Sequence, residues 1–484
     1  MKKRKSIKEN YIYNLIFQIL SLLLPFITTP YISRVLQPEN VGIYSYTYSI
    51  VSTCILFGSL GTAVYGQREI AIAGEDRKKI SELFWEIFYL KVITMTIAIA
   101  CFIVIAVNSS KYQVAYLTQI PFFIGAIFDI SWLYQGLEDF KYVALRNTVI
   151  KIISVMLIFL LVRNTNDLIK YLLIMGSAQV VGDIPMWTRL KEEVEFTKPD
   201  IGNLKKHLKG TFVYFVPAIA TQIYSVLDKT MLGTIGGIEA ENGYYEQANK
   251  IISMTVSVVS SYTIVMRSRI SYLFGNGENI VTIKNEINKT LKFICFLVFP
   301  MAFGMAGIAS NFVPWFFGNT YKNVTLLLYI FSPMYIFLGI DTCLGTNVLL
   351  PIGQQNKSSV GQIAGAIINL CLNAYLIPKF YSVGAAIASV ITEFSIFLIL
   401  LFFSRKYVSV TQLMRISFKY FFSGIIMFLV IFRVSKYLSP SVLNTCVLIA
   451  LGMLVYLIEM YITKDEFIKM IVDSMKEKIL KKKN

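Results

Sequence analysis

VLNTCVLIALGMLVYLIEMYI, residues 442–462, reads as a helix that crosses a bilayer, because about 20 apolar residues are what a hydrocarbon core of roughly 30 Å requires. It is the clearest of about fourteen apolar segments of similar length that follow one another with little polar sequence between them. The first covers residues 11 to about 33, and others begin near Val41, Phe84, Val114, Val143, Leu168, Thr211, Tyr244, Leu291, Val324, Lys357, Val383 and Ser417. Nothing is left over for a soluble domain. The fold class is therefore all-α and polytopic, a chain whose main solvent is lipid.

Composition agrees, with 55% hydrophobic and 15% charged residues, where a soluble domain carries roughly 25% charged. The net charge of +17 would point to nucleic acid in a soluble protein, but here its location decides, and no nucleic-acid partner is expected. About 33 Lys and Arg fall in alternate loops and tails that include both termini, and about 7 in the opposite set. Both termini are expected in the cytoplasm. Residues 1–5, MKKRK, resemble the start of a signal peptide. The apolar run that follows is too long, however, and holds Pro25 and Pro30 without a small-residue cleavage site, so it reads as a retained first span.

The six cysteines, Cys54, Cys101, Cys295, Cys343, Cys371 and Cys446, lie inside apolar spans with no pair at metal or redox spacing, and read as packing residues. His207 is the only histidine, in what this topology makes a basic cytoplasmic loop. Histidine catalysis, metal clusters and histidine proton relays are disfavoured, and no cofactor, metal or catalytic residue is expected. The longest polar stretches, residues 189–210, 267–292 and 463–484, are Lys-rich and on the same side. They read as orientation signals drawn to anionic headgroups, or as docking sites for cytoplasmic partners.

The first of these stretches separates six spans from eight, and that division matches a weak internal repeat. Ser33-Arg34-Val35-Leu36 followed by Gly42-Ile43-Tyr44 is echoed, roughly 200 residues on, by Asp228-Lys229-Thr230-Met231 followed by Gly243-Tyr244-Tyr245. The repeat implies two six-helix lobes, residues 1–210 and 211–410, related by a pseudo-two-fold axis along the membrane normal. Residues 411–484 then supply two additional spans and a basic tail. Two facing bundles around a central path are the arrangement of alternating access.

Burying an ionisable group costs roughly 2.5 to 3.5 kcal/mol on insertion scales, so each one inside a span needs a partner, a watery cavity or a task. Arg34, Lys91, Lys151, Lys229 and Lys250 form a ladder of cations at different depths, and Asp129, Asp183, Asp228, Asp341 and Glu393 are the acidic counterparts. Lys91 and Asp129 lie at similar depth and either neutralise each other or serve the path. Glu246 and Lys250 have the spacing of an ordinary helix pair. Asp183 is near a helix end and is expected to reach water. Lys151 and Lys229 have the least obvious partners.

Specific strings carry more than composition. LPFITTPYISRVL (24–36), VGIYS (41–45) and YGQREIA (65–71), then VLDKTMLG (226–233), GYYEQANK (243–250), GAIINLCLN (365–373), IPK (377–379), GAAIAS (384–389) and Glu393, resemble in order and spacing the polysaccharide flippases of the multidrug/oligosaccharidyl-lipid/polysaccharide exporter superfamily. The resemblance covers about residues 10 to 410. Two departures stand out: Gln37 occupies a place where that family usually has Gly, and Arg267-Ser268 a place where it tends to show Leu-Pro. Without that proline no helix break is required there.

The resemblance implies export of an undecaprenyl-pyrophosphate-linked oligosaccharide repeat unit from the inner to the outer leaflet of a bacterial cytoplasmic membrane, for capsule, O-antigen or another surface polysaccharide. Its partners would be membrane lipids and, beside it, polysaccharide polymerase and glycosyltransferases. A cationic path lowers the desolvation barrier for the pyrophosphate, and Gln222, Asn369, Asn373 and the abundant tyrosines offer sugar contacts. With the cytoplasm negative, each negative charge carried outward gains about 2.3 kcal/mol per 100 mV. Asp341 and Glu393 either bind a coupling cation or hydrogen-bond between helices as neutral acids, and Asp129 and Asp228 pair with neighbouring lysines or take part in coupling. The competing readings are a peptidoglycan-precursor flippase, a multidrug exporter of the same superfamily, and a membrane polymerase, which would need a sizeable external loop.

Overall fold

The computed structural model describes residues 7–469, and among them every regular element is helical, with short 3₁₀ and π turns and no strand. A helix satisfies its own backbone polar groups, which lipid does not. Residues 1–5, and the basic tail from residue 470 on, lie outside the described residues. Among the described residues, ten helices are long and apolar enough to cross a membrane, or eleven if the pair Asn319–Phe331 and Met334–Leu349, bent by 49°, counts as one span.

That is fewer than the about fourteen segments expected, in part because two pairs of neighbouring segments run on as one element. Helix α1 (Ile7–Ser59) has 53 residues and helix α14 (Gln355–Ser404) has 50. Either would reach roughly 75 to 80 Å if straight, more than twice the hydrocarbon core. Each is two helices joined at one non-helical residue, Gln37 (φ 66, ψ 166) in α1 and Tyr381 (φ 48, ψ −126) in α14. Gln37 is the position where the resembling family carries glycine, and its backbone angles are those glycine adopts freely. A side chain there costs on the order of 1–3 kcal/mol, and Pro38 adds the push away from helical geometry that proline exerts on the residue before it.

The chain forms two compact units that divide between Gly243 and Tyr244. Unit 1 holds α1, α2 (Thr62–Ala73), α3 (Arg77–Asn108), α4 (Gln113–Leu117), α5 (Ile120–Phe128), α6 (Ser131–Gly136), α7 (Phe140–Leu161), α8 (Leu168–Glu193) and α9 (Ile201–Met231). Its boundary lies beyond residue 210 because α9 packs on α1, α2 and α3. One of its cores is aromatic: Trp132 stacks on Phe84 at 5.5 Å, and Gly66 leaves the space that the Trp132 ring fills.

Unit 2 continues from α10 (Glu239–Gly275), which starts just before the boundary, through α11 (Ile280–Phe316), α12 (Lys322–Phe331), α13 (Met334–Cys343), α14, α15 (Val410–Ser435) and α16 (Val442–Ile462). The two extra helices, α15 and α16, pack against α11, where Gly424 admits the Phe303 ring, and Gly307 and Gly452 admit Ile431. Between them and α10 and α11 lies an apolar cavity of about 390 Å³ lined by Leu297, Met301, Met305, Met427, Met453 and Leu457 among others.

Two of the Lys-rich stretches, residues 189–210 and 267–292, are largely helical rather than loops. Helix α8 runs to Glu193 and α9 starts at Ile201; α10 continues unbroken through Arg267 and Ser268 to Gly275, and α11 starts at Ile280. Asp76, Asp200 and Asn279 cap α3, α9 and α11 with their side chains. His207 accordingly sits within α9 and is 2% exposed, not in a solvated loop.

Candidate functional site

The cations of the expected ladder differ in setting. Arg34, one turn before the Gln37 break, is exposed. Lys151 on α7 is half-buried and donates from Nζ to Ser21 Oγ at 2.9 Å. Lys229, near the end of α9, is half-buried, and its carbonyl accepts from Asn242 Nδ2 at 2.7 Å; the neighbouring Asp228 is buried. In unit 2, Lys250 and Glu246 lie half-buried one turn apart on α10.

Lys91 is different, being only 4% exposed in the interior of unit 1. Its ammonium donates to the backbone carbonyl of Asp129 at 2.8 Å. Asp129 ends α5 in an extended conformation, so the carbonyls around it have no helical donor. Lys91 serves one and Trp187 Nε1 serves the next, Phe128, at 2.7 Å, while the Asp129 carboxylate caps Ser131 N at 2.9 Å. The contact between Lys91 and Asp129 thus satisfies a broken helix as well as a charge.

Arg146, which the sequence reading passed over, is the partner of Asp183. Its guanidinium bonds the Asp183 carboxylate and, through Nε, the Gly182 carbonyl at 2.6 Å. Asp183 is 1% exposed rather than reaching water, because α8 continues for ten residues beyond it. The cue lay in the spacing of α7, where Arg146 interrupts an apolar face in the second turn of the helix.

Among the acidic residues of unit 2, Asp341 on α13 and Glu393 on the second half of α14 are buried neighbours. The Asn373 side-chain amide donates to Asn369 Oδ1 at 3.0 Å, and both residues are fully buried. Gln222 on α9 is half-buried. Among the described residues, no group of three or more His, Cys, Asp or Glu side chains is placed to hold a metal ion.

One crossing in unit 1 is unusually close. The half of α1 after Gln37 meets the end of α9 and the start of α10, where a Cβ on Gly42 would land on the Glu239 carbonyl, one on Gly243 on the Pro38 carbonyl, and one on Gly233 in the Tyr46 ring. Ser45 Oγ donates to Asn242 Oδ1 at 3.3 Å, and the Ser49 and Thr230 hydroxyls are 2.8 Å apart. At the rim, the Glu239 carboxylate accepts from Tyr112 Oη at 3.0 Å and pairs with Lys111. The hydrogen bond to Glu239 raises the Lys111 ammonium above its ordinary pKa, with Tyr112 adding to the effect.

Residues 7–268 match the family described as polysaccharide biosynthesis protein. A putative O-antigen transporter of Escherichia coli (strain K12) is 25% identical over 410 residues, 83% of this chain and 97% of its own. A putative O-antigen transporter of Shigella dysenteriae is 23% identical over 402 residues, 81% of this chain and 99% of its own. Among solved structures, the lipid II flippase MurJ in an inward closed conformation superposes with a TM-score of 0.70 at 17% identity, covering 95% of this chain and all of that one, a likeness of fold.

Proposed function

The chain belongs to the polysaccharide biosynthesis protein family, and from that premise we propose that it is a flippase moving lipid-linked oligosaccharide repeat units across a bacterial cytoplasmic membrane by alternating access. The observation that carries this reading is the match along nearly the whole length of relatives named as putative O-antigen transporters. Both termini lie in the cytoplasm on this reading, the chain makes and breaks no covalent bond, and polymerase and glycosyltransferases act before and after it.

The side chains supply what such cargo needs. Arg34, Lys151 and Lys229 offer positive charge at exposed or half-buried positions along unit 1, suited to a pyrophosphate crossing a medium of low dielectric constant. The apolar cavity beside α15 and α16 is of a size and lining to hold part of an isoprenoid tail. The buried neighbours Asp341 and Glu393 are the place in unit 2 for a coupling proton or cation. Residues 1–210, 211–410 and 411–484 remain the functional division we propose, with α9 lent to unit 1 in this conformation.

Deletion in the native host tests the reading. A lipid-linked oligosaccharide should accumulate on the inner leaflet while surface polysaccharide is lost. The fold shared with the lipid II flippase gives the second reading: accumulation of a peptidoglycan precursor instead would replace the first.

A further inference from the structure

Helix α5 ends at Phe128, and α8 continues beside that end. Between them is a groove of about 490 Å³ lined by Phe128, Val180, Asp183, Ile184, Trp187 and Thr188. Phe128 and Ile184 are exposed apolar side chains on segments suited to cross a membrane, so lipid is their natural contact. Two of the polar side chains in the groove are already engaged. Trp187 Nε1 donates to the Phe128 carbonyl at 2.7 Å, and the Thr188 hydroxyl donates to the Pro185 carbonyl at 2.8 Å. The third is Asp183, whose Oδ1 takes the Arg146 guanidinium while Oδ2 is buried with no hydrogen-bond partner among the described residues. An acceptor left unpaired in a protein interior is costly, and more so when it carries charge.

What Oδ2 lacks is a donor, not a counter-charge. The charged groups around Asp183 are Arg146, Asp129 and Lys91, so two cations already face two carboxylates. An ammonium brought to Oδ2 would leave a net positive charge at a buried site. Depth favours the same choice. Arg189, the first charged side chain beyond Asp183 on α8, is six residues on, about 9 Å along the axis. Arg189 and Lys191 mark the level of lipid headgroups, and Asp183 lies below it, where an uncharged hydroxyl enters at far smaller cost than an amine or a phosphate.

We propose that the groove between α5 and α8 binds a lipid alcohol, a neutral long-chain molecule whose hydroxyl donates to Asp183 Oδ2 while its chain lies along Phe128, Val180, Ile184 and Trp187. The Trp187 ring, held by its bond to the Phe128 carbonyl, gives the chain a fixed wall. Selectivity rests on one proton: an ether of the same length has the chain but no O–H to donate. The groove belongs to unit 1 alone, and nothing in its chemistry depends on the flippase reading.

The test uses the full-length protein in phosphatidylcholine vesicles, without cargo, and a long-chain alcohol bearing a photoreactive diazirine on its chain. After irradiation, mass spectrometry should find the label on the peptide holding residues 180–188. Oleyl alcohol should compete at a concentration at least about tenfold lower than oleyl methyl ether, the factor for one hydrogen bond to a charged group. Ile184→Trp, which puts a ring into the groove from an exposed position and keeps the ion pair, should abolish the labelling. Arg146→Met combined with Asp183→Leu should keep the labelling and bring the two competitors to equal concentration; if that protein does not fold, Ile184→Trp and the ether comparison decide. Label found elsewhere, equal competition by alcohol and ether in the parent, or labelling that Ile184→Trp leaves unchanged overturns the proposal. Loss of labelling when phosphatidylethanolamine replaces part of the phosphatidylcholine would give the groove to an amine lipid and overturn it as well. Because no cargo is present, each of these results leaves the flippase reading to its own test.

Discussion

Gly42 and Gly243, which the sequence repeat pairs, lie against each other, each so close to the other's segment that a Cβ on one would strike the Glu239 carbonyl and on the other the Pro38 carbonyl. The crossing is backbone against backbone, a distance only glycine permits.

Gly42→Ala and Gly243→Ala should therefore each destabilise the protein by about 2–4 kcal/mol, as overpacking against rigid backbone does. Thermal unfolding in detergent measures this. The double variant should cost less than the two losses together, because one separation accommodates both methyl groups. Gly275→Ala, with no atom within 4 Å of the added carbon, is the control and should be neutral.

Removing Arg146 leaves the Asp183 charge buried, and Arg146→Ala should cost about 3–5 kcal/mol. Arg146→Met combined with Asp183→Leu removes both charges and should recover most of that stability in the same assay. If the single and double variants unfold alike, the ion pair is not what holds α7 to α8.

The contrast between these two sites shows what the sequence makes legible. Apolar segment lengths are enough to identify a polytopic helical protein, since lipid leaves the backbone few alternatives, and the Gly42 and Gly243 strings stand at matching offsets along the chain itself. Segment lengths do not reveal that the runs on either side of Gln37, or of Tyr381, merge into single elements, because one non-helical residue carries no periodic signal. Burial of charge is also hidden. Topology gives depth but not facing, so Asp183 and His207, both placed near water by their position, prove sealed because α8 and α9 extend past the expected loop ends. The need of Lys91 for Asp129 is legible, but not that the partner is a carbonyl.

Alanine at Arg34, Lys151 or Lys229 should each slow export of lipid-linked oligosaccharide by about tenfold at unchanged protein abundance, equivalent to about 1.4 kcal/mol of lost charge stabilisation. Arginine in place of either lysine should retain most of the activity. Surface polysaccharide per cell, normalised to membrane-extracted protein, is the measurement, and unimpaired export in all three variants would remove these side chains from the path.

Drive by cargo charge and drive by ion coupling give opposite results. For a doubly charged headgroup moving outward, collapsing a potential of 100 mV removes about 4.6 kcal/mol, so flipping into vesicles should slow sharply when voltage is dissipated at constant ion gradients. Asp341→Asn and Glu393→Gln should then matter little. Flipping that survives the loss of voltage but not the loss of either carboxylate would make the Asp341 and Glu393 neighbours the energetic link.

The bond from Lys91 to the Asp129 carbonyl also bears on how the chain is made. During synthesis α3 emerges with a lysine midway along its 32 residues, ahead of the segment that will receive its ammonium. Released alone into lipid, it carries a penalty of roughly 2.5–3.5 kcal/mol. The broken segment that follows, with its open carbonyls at Phe128 and Asp129, is no better suited to lipid alone. Each defect is the remedy for the other, so the insertion machinery should retain α3 until residue 129 has been translated and pass the two into the bilayer as a pair.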